Sequence, residues 1–339
     1  MKILLTGSSG FIGGYLVEEL LRKKHTVIGI DNYSKYGPIK KKFDNNTNYR
    51  LVKGDVKDTK LLLSLIKDCD HIVACAAKIG GIGYFNKFAY DIISENEKII
   101  SSTFDAAIEA NKKYRLKKIT VISSSMVFES TKIFPTPENA IKKSPPPKST
   151  YGFQKLSCEY FAKGAWEQYK LPYTIIRPFN CVGIGESRAL SDKYIKSGNI
   201  KLAMSHVVPD LIQKTLKKQY PLHILGKGNQ IRHFTYGGDI AKGIILAMFS
   251  KKAKNEDFNI SSNKGMTMLY LARQIHKKIY PNKKFSYVSD KPFMYDVQKR
   301  IPDTTKAEKL LGFKASVNID QMLDELIPWI REQIKLKKI

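Results

Sequence analysis

The pentapeptide YGFQK sets Tyr151 and Lys155 four residues apart, so in a helix both face the same way. A phenol with an ordinary pKa near ~10 is a poor base at neutral pH, but an adjacent ammonium favours the phenolate and brings it toward working range. Because this spacing is common on solvated helix faces, it gains meaning only from its surroundings, and two other stretches supply them. Residues 123–128 read SSSMVF directly after the apolar run Ile119, Thr120, Val121, Ile122, so a short strand ends by delivering three hydroxyls. TGSSGFIGG at 6–14 places Gly7, Gly10 and Gly13 at three-residue intervals between a first strand and a first helix. Glycines there permit a tight turn and let the main chain approach a pyrophosphate, while the helix N-terminus offers N–H groups and positive dipole. Asp31 ends VIGID about 20 residues further on, where a carboxylate accepts from both ribose hydroxyls of a dinucleotide. That carboxylate repels a 2′-phosphate, and Asn32, Tyr33 and Ser34 offer no arginine to receive one, so the expected cofactor is NAD rather than NADP.

Placing these groups requires a sheet. From residue 2 to about 180, the strand-like runs KILLT, VIGID, YRLVKGDV, HIVACAA, KITVISSS and YTIIRPFN alternate with helical stretches. In the first of these stretches Ile12, Leu16, Val17, Leu20 and Leu21 share one face. Strands too apolar to leave a face in water predict a parallel sheet covered on both sides: an α/β, Rossmann-type, doubly wound domain over residues 1–180. Beyond about 181 the pattern loosens into helices near 207–219, 239–250, 267–279 and 319–337 and short strands LHIL and DFNISS. Residues 181–339 are expected mainly to form a smaller C-terminal substrate-binding domain, with a strand around 257–262 as a candidate to rejoin the first sheet. The prolines of KKSPPPKST at 142–150 forbid a helix until just before Tyr151, and Ser149 or Thr150 is its expected cap. Asp239, in GGDIAKG, is read as a helix cap.

Composition narrows the class. With 339 residues and 42% hydrophobic content, the chain buries a sizeable core. MKILLT runs straight into the glycine turn without a leader, and no uncharged apolar stretch reaches the ~18 residues of a membrane span, which predicts the cytosol and no membrane partner. Cys69, Cys75, Cys158 and Cys181 are scattered without C-x-x-C pairing, so neither a metal site nor a disulfide framework is expected. A net charge of +27 normally suggests nucleic acid or anionic membrane. Here nine arginines and 49 lysines are spread along the whole chain, which reads as a solvated surface favouring an anionic substrate rather than nucleic acid.

Gly7, Gly10 and Gly13, Asp31, SSSMVF, Tyr151 with Lys155, and RPFN at 177–180 together resemble the extended short-chain dehydrogenase/reductase family in its nucleotide-sugar epimerase/dehydratase branch, over nearly the whole chain. The resemblance implies that Tyr151 takes the proton of a sugar hydroxyl as hydride leaves for the nicotinamide. Lys155 would tune Tyr151 and hold the nicotinamide ribose, and Ser124 would bond the reacting oxygen, with Ser125 touching substrate. Cofactor contacts are implied for Gly7, Gly10, Phe11, Ile12, Gly13, Asp31, Asn32, Asp55, Val56, Ala76, Ala77 and Asn96, besides Tyr151 and Lys155. Asp55 reads equally well as a turn or cap residue. Asn180 and Arg232 match diphosphate contacts, Arg300 is a further candidate for that task, and Lys78 with the Gly80–Gly81 backbone would line the sugar pocket. His206 stays open between a phosphate donor, a proton-transfer group and a packed core residue. His25, His71 and Cys75 read as structural. Relatives imply a homodimer joined through a four-helix bundle, here residues 89–112 and 151–170.

The reaction follows from what is missing. Sugar 4,6-dehydratases of the resembled family follow the catalytic hydroxyl with an Asp-Glu pair; here those positions are Ser125 and Met126. AAKIGGIGYF at 76–85 and SHVVPD at 205–210 look like GDP-fucose synthase and GDP-mannose 3,5-epimerase, whose acid/base cysteine is again replaced by Met126. The remaining reading is an NAD-dependent epimerase of a nucleotide-diphosphate sugar, oxidising transiently at C4 and returning hydride to the opposite face. The alternatives are a GDP-sugar epimerase/reductase, a nucleotide-sugar dehydratase and, from another class, a non-catalytic nucleotide-binding or nucleic-acid-binding protein.

Overall fold

Six of the apolar runs become neighbours in one parallel sheet of the computed structural model, which describes residues 1–80, 87–186, 196–201, 206–292 and 296–339. Gly81 and Ser205, named above with the sugar pocket and SHVVPD, lie outside the described residues. The strands are β1 (Lys2–Thr6), β2 (Thr26–Asp31), β3 (Tyr49–Lys53), β4 (His71–Ala74), β5 (Lys118–Ile122) and β6 (Tyr173–Pro178). Shorter strands follow: β7 (Cys181–Val182), β8 (Lys196–Ser197), β9 (Ile200–Lys201), β10 (Leu222–Leu225), β11 (Ile231–His233) and β12 (Thr235–Tyr236). The last three are β13 (Glu256–Ile260), β14 (Gly265–Thr267) and β15 (Tyr287–Asp290).

The large sheet runs β13-β6-β5-β4-β1-β2-β3 with every neighbouring pair parallel. Its order reverses between β1 and β4, and in such a sheet ligands bind beyond the carboxyl ends of the strands at that reversal. Several strands stop earlier than their apolar runs suggest. Past Ala74, the amides of Cys75 and Ala76 both donate to the Thr6 hydroxyl (3.0 and 3.1 Å), so HIVACAA leaves the ladder where the crevice opens.

The helices are α1 (Phe11–Arg22), α2 (Thr59–Ile66), α3 (Ala89–Lys113), α4 (Thr150–Tyr169), α5 (Val207–Leu216), α6 (Gly237–Phe249), α7 (Met268–Ile279), α8 (Thr305–Leu311) and α9 (Ile319–Lys335). One core packs Leu62, Phe104 and Ala162 of α2, α3 and α4 against Leu4, Ile30 and Ile72. On the opposite face Leu16 and Leu20 of α1 and Ile240 and Ile244 of α6 cover Ile3, Leu5 and Val73. A third core, drawn wholly from residues after Cys181, joins Leu211, Leu271 and Leu326 of α5, α7 and α9. Apolar side chains on both faces explain why the strands carry so little polar alternation.

Asp239 does not cap its helix. Tyr236 holds the cap position of α6, and the Asp239 carboxylate, buried in the first turn, accepts from the amides of Ser316 and Val317 and the Ser316 hydroxyl. Its acidic side chain therefore anchors the loop before α9 while lying close to the positive end of α6. Where β6 meets α4, Arg177 is fully buried; its Nε and Nη2 donate to the two Glu159 oxygens at 2.7 Å, and Nη2 also lies 2.7 Å from Asp257. A charge so deep persists only because Nε and Nη2 meet carboxylates, while Nη1 donates to the Glu138 carbonyl (3.4 Å). Among the described residues, no helix is long and apolar enough to cross a membrane.

Candidate active site

The turn after β1 is shaped by main chain. Gly7 sits at φ 71°, and a Cβ placed on Gly13 would stand 2.1 Å from the Gly7 carbonyl oxygen. No side chain caps α1 at Gly10, so its first N–H groups face the crevice. Asp31 closes the far wall: its Oδ2 accepts from the Ser9 amide (3.0 Å) and its Oδ1 from the Tyr33 amide (2.8 Å), which orients the carboxylate beside the glycine turn. Asp55 accepts from the Lys57 amide (2.9 Å), a turn role, and still faces the crevice.

Lys155 and Tyr151 lie on α4, whose start is set by the Ser149 hydroxyl accepting from the Gly152 amide (3.1 Å). Both side chains are nearly buried. The Lys155 ammonium donates to the Ile122 carbonyl (2.9 Å), which ties the helix to the end of β5, and there the Ser124 hydroxyl accepts from the Met126 amide (3.1 Å). Ser123 plays a different part from its neighbour: its hydroxyl donates to Glu159 (2.7 Å), away from the crevice.

Among the described residues, every predicted site residue except Asn96 opens on one cavity of about 990 Å³ that runs from the glycine turn past Tyr151 to Arg232. The Asn96 carboxamide closes on the Lys78 main chain, accepting from the amide (2.7 Å) and donating to the carbonyl (2.9 Å), beside a small recess lined by Ala76, Ala77 and Lys155. The Asn180 amide is also engaged, donating to the His233 carbonyl (2.9 Å) and accepting from Arg300 (3.2 Å).

Beyond Tyr151 the walls are charged. Arg232 lies 3.2 Å from Asp296, and burial, with the nearby Arg300 charge, pushes its pKa down to about 9. His206 is not a packed core residue: its side chain is 37% exposed, its ring lies 6.5 Å from that of Phe11, and its Nδ1 stands 2.5 Å from buried Glu186. Cys75, read as structural, also faces the cavity, with its thiol pushed up to about 11 by burial. At the far end His223 pairs with Asp290 (2.7 Å), and the Lys214 ammonium donates to the His223 carbonyl (3.1 Å). Sequence reasoning did not find Lys214, nor Glu129, Glu186, Asp290 and Asp296, whose partners lie 20 or more residues away in the chain.

A glycine cradle that excludes Cβ atoms, uncapped helix N–H groups and an oriented carboxylate together fit a dinucleotide. Residues 3–261 match the model of the NAD dependent epimerase/dehydratase family, and the chain belongs to that family. Its cofactor is NAD. The UDP-glucose 4-epimerase of Thermotoga maritima, solved with UDP-glucose, is 27% identical, with a TM-score of 0.81 over 98% of this chain and 100% of that one. The UDP-glucuronic acid 4-epimerase of Bacillus cereus, solved with UDP-glucuronic acid and NAD, is 26% identical, with a TM-score of 0.81 over 98% of this chain and 99% of that one. A UDP-N-acetyl-alpha-D-glucosaminuronate decarboxylase of Bacillus cytotoxicus is 28% identical over 98% of both chains.

Proposed function

We propose that the protein is a UDP-sugar 4-epimerase that keeps its NAD bound and inverts one carbinol carbon. The supporting observation is that Ser124, Tyr151 and Lys155 share one cavity with the glycine turn, while position 126 carries a methionine that moves no protons. Epimerase relatives with UDP-sugars bound point the same way.

Bound NAD supplies the hydride acceptor and, later in the cycle, the hydride donor. Tyr151 draws the proton from the sugar hydroxyl at the carbon to be inverted and returns it at the end. Lys155, four residues on and held by the Ile122 carbonyl, would hold the nicotinamide ribose. Ser124 shares the reacting oxygen through its hydroxyl. Gly7, Gly10 and Gly13 with the α1 amides hold the pyrophosphate, and Asp31 accepts from the adenosine ribose. Arg232 faces the substrate diphosphate as a forked donor, and His206, with Nδ1 engaged by Glu186, turns its other nitrogen to the same anion. Pairing of α3 and α4 with a second copy, covering exposed Tyr90, Phe153 and Tyr160, completes the proposal as a homodimer.

Denaturing the purified protein should release NAD, and UDP-glucose and UDP-galactose should interconvert without added cofactor. Tyr151→Phe should lower kcat by about 10²–10⁴-fold while NAD stays bound. A requirement for fresh NADPH at each turnover, or no interconversion of any UDP-hexose pair, overturns the reading.

A further inference from the structure

The chain at and just past the end of β5 is fastened to α4 at three points, spread along the helix so that they bracket Tyr151 and Lys155. The first lies at the helix start. Glu129, which follows the 3-10 turn Ser125–Phe128, accepts at Oε2 from the amide (2.9 Å) and hydroxyl (2.8 Å) of Ser149. Ser149 in turn caps α4, its hydroxyl oxygen accepting from the Gly152 amide (3.1 Å). The second point is the Lys155 ammonium on the Ile122 carbonyl (2.9 Å). The third comes one turn later, where the Ser123 hydroxyl donates to Glu159 Oε1 (2.7 Å). Arg177 of β6, the strand beside β5, grips both Glu159 oxygens, and the Ser123 amide donates to the Ile176 carbonyl of that same strand (2.8 Å).

These fastenings differ in what else they must do. Lys155 faces the cavity, where the proposed mechanism needs its ammonium for the cofactor, so its grip on Ile122 is shared. The Ser123 hydroxyl has one proton and gives it to Glu159, and Glu129 Oε2 is filled by two donors of Ser149, so these two contacts serve the helix alone. Ser124 follows Ser123 in extended backbone, where successive side chains point to opposite sides, so the fastened serine and the one at the cavity move together. On α4, Tyr151 lies between the fastened Ser149 and Glu159. A slide of the helix along β5 would therefore shift Tyr151 against Ser124, and a misplacement of ~1 Å costs on the order of 10²-fold in rate. The Ser123 contact is not needed to match a buried ion, since without it both Glu159 oxygens keep Arg177. Its loss should leave the fold in place.

Resting on the function proposed above, we infer that Ser123 and Glu129 are positioning residues, a pair of clamps that fixes the register of α4 on β5 and so the place of Tyr151 relative to Ser124. The test is steady-state kinetics with UDP-glucose and UDP-galactose on Ser123→Ala, Glu129→Ala and Glu129→Gln, together with NAD content, Tm and amide hydrogen exchange of residues 152–155. Each alanine variant should lose kcat by roughly 10–100-fold, with KM and bound NAD unchanged. Exchange at 152–155 should quicken in both, as the freed turn opens more often. Glu129→Gln keeps an acceptor for Ser149 and should hold kcat close to that of the intact protein. An alanine variant with unchanged kcat and only a lowered Tm makes that contact merely structural and overturns that clamp. A loss in Glu129→Gln as deep as in Glu129→Ala assigns the effect to charge and overturns the Glu129 half. A raised KM or lost NAD in step with kcat means general loosening and overturns both. Exchange reads the clamps without a substrate. If the intact protein converts no UDP-sugar while exchange quickens as expected, the UDP-sugar reading is at fault and the clamps stand; unchanged exchange overturns the clamps whatever the protein converts.

Discussion

The two ends of the cleft are built by different means. At the cofactor end, short contiguous pieces at neighbouring strand ends present main chain and an oriented carboxylate: the glycine turn after β1, Asp31 ending β2 and the Thr6-bound amides after β4. At the far end, which the proposal gives to the sugar, side chains reach across the sequence; Arg300 touches Met126, 174 residues away, and Asn180, 120 residues away. Arg232 leans on Asp296, and His206 on Glu186. Main-chain geometry changes only when the turn itself changes, whereas a side-chain wall is altered by one substitution. The difference predicts a conserved manner of holding cofactor beside a readily retuned choice of sugar.

The largest test lies at the seam, where Arg177 joins β6, α4 and β13. Glu159→Gln removes one partner of a fully buried pair and should cost about 3–5 kcal/mol in denaturant titrations, since it leaves an incompletely compensated buried charge. A single transition for both ends, with Tyr151 activity and NAD lost together, would show that the seam makes them one cooperative unit. Separate transitions would break that picture and leave two independently stable ends.

Acid should act next at the amino end of β4, opposite the crevice. His71, on β4, is buried, and burial with the Lys118 charge lowers its pKa from 6.5 to about 4. The unfolded chain therefore binds a proton that the folded one refuses. This contribution to stability is present above pH 6.5 and fades as pH falls toward 4, by at most ~3 kcal/mol. His71→Gln should flatten the pH dependence of Tm over that window; an unchanged slope would assign it to other groups.

The smallest effect sharpens the comparison most. Gly13→Ala puts a Cβ against the Gly7 main chain, an overpacking of about 1–3 kcal/mol, and should yield protein that loses NAD on purification. Asp296→Asn, at the other end, should keep its NAD and change KM for the sugar substrate. If Asp296→Asn also sheds NAD, the two ends are not separable.

Local signals were legible because their physics is local. Glycine spacing, a strand-ending acid and a Tyr-x-x-x-Lys pair each depend on a few consecutive residues and the periodicity of one element. Asp239 misled because its position fits a cap, while its carboxylate is used by Ser316 and Val317. The tie between Asn96 and the Lys78 main chain was not legible, since that main chain comes to it from another loop. Glu129 escaped notice because neither Ser149 nor Arg300 is near it in sequence.

By itself the amino-acid order determined a parallel α/β sheet, the place of its dinucleotide turn and a tyrosine–lysine pair on one helix face, because each follows from residue types at short, regular spacing. Only the folded chain decided which of many polar side chains line the far end of the cleft. That choice depends on loops brought together from opposite ends of the sequence, where the cost of burying an unmatched charge, rather than any periodicity, determines the arrangement.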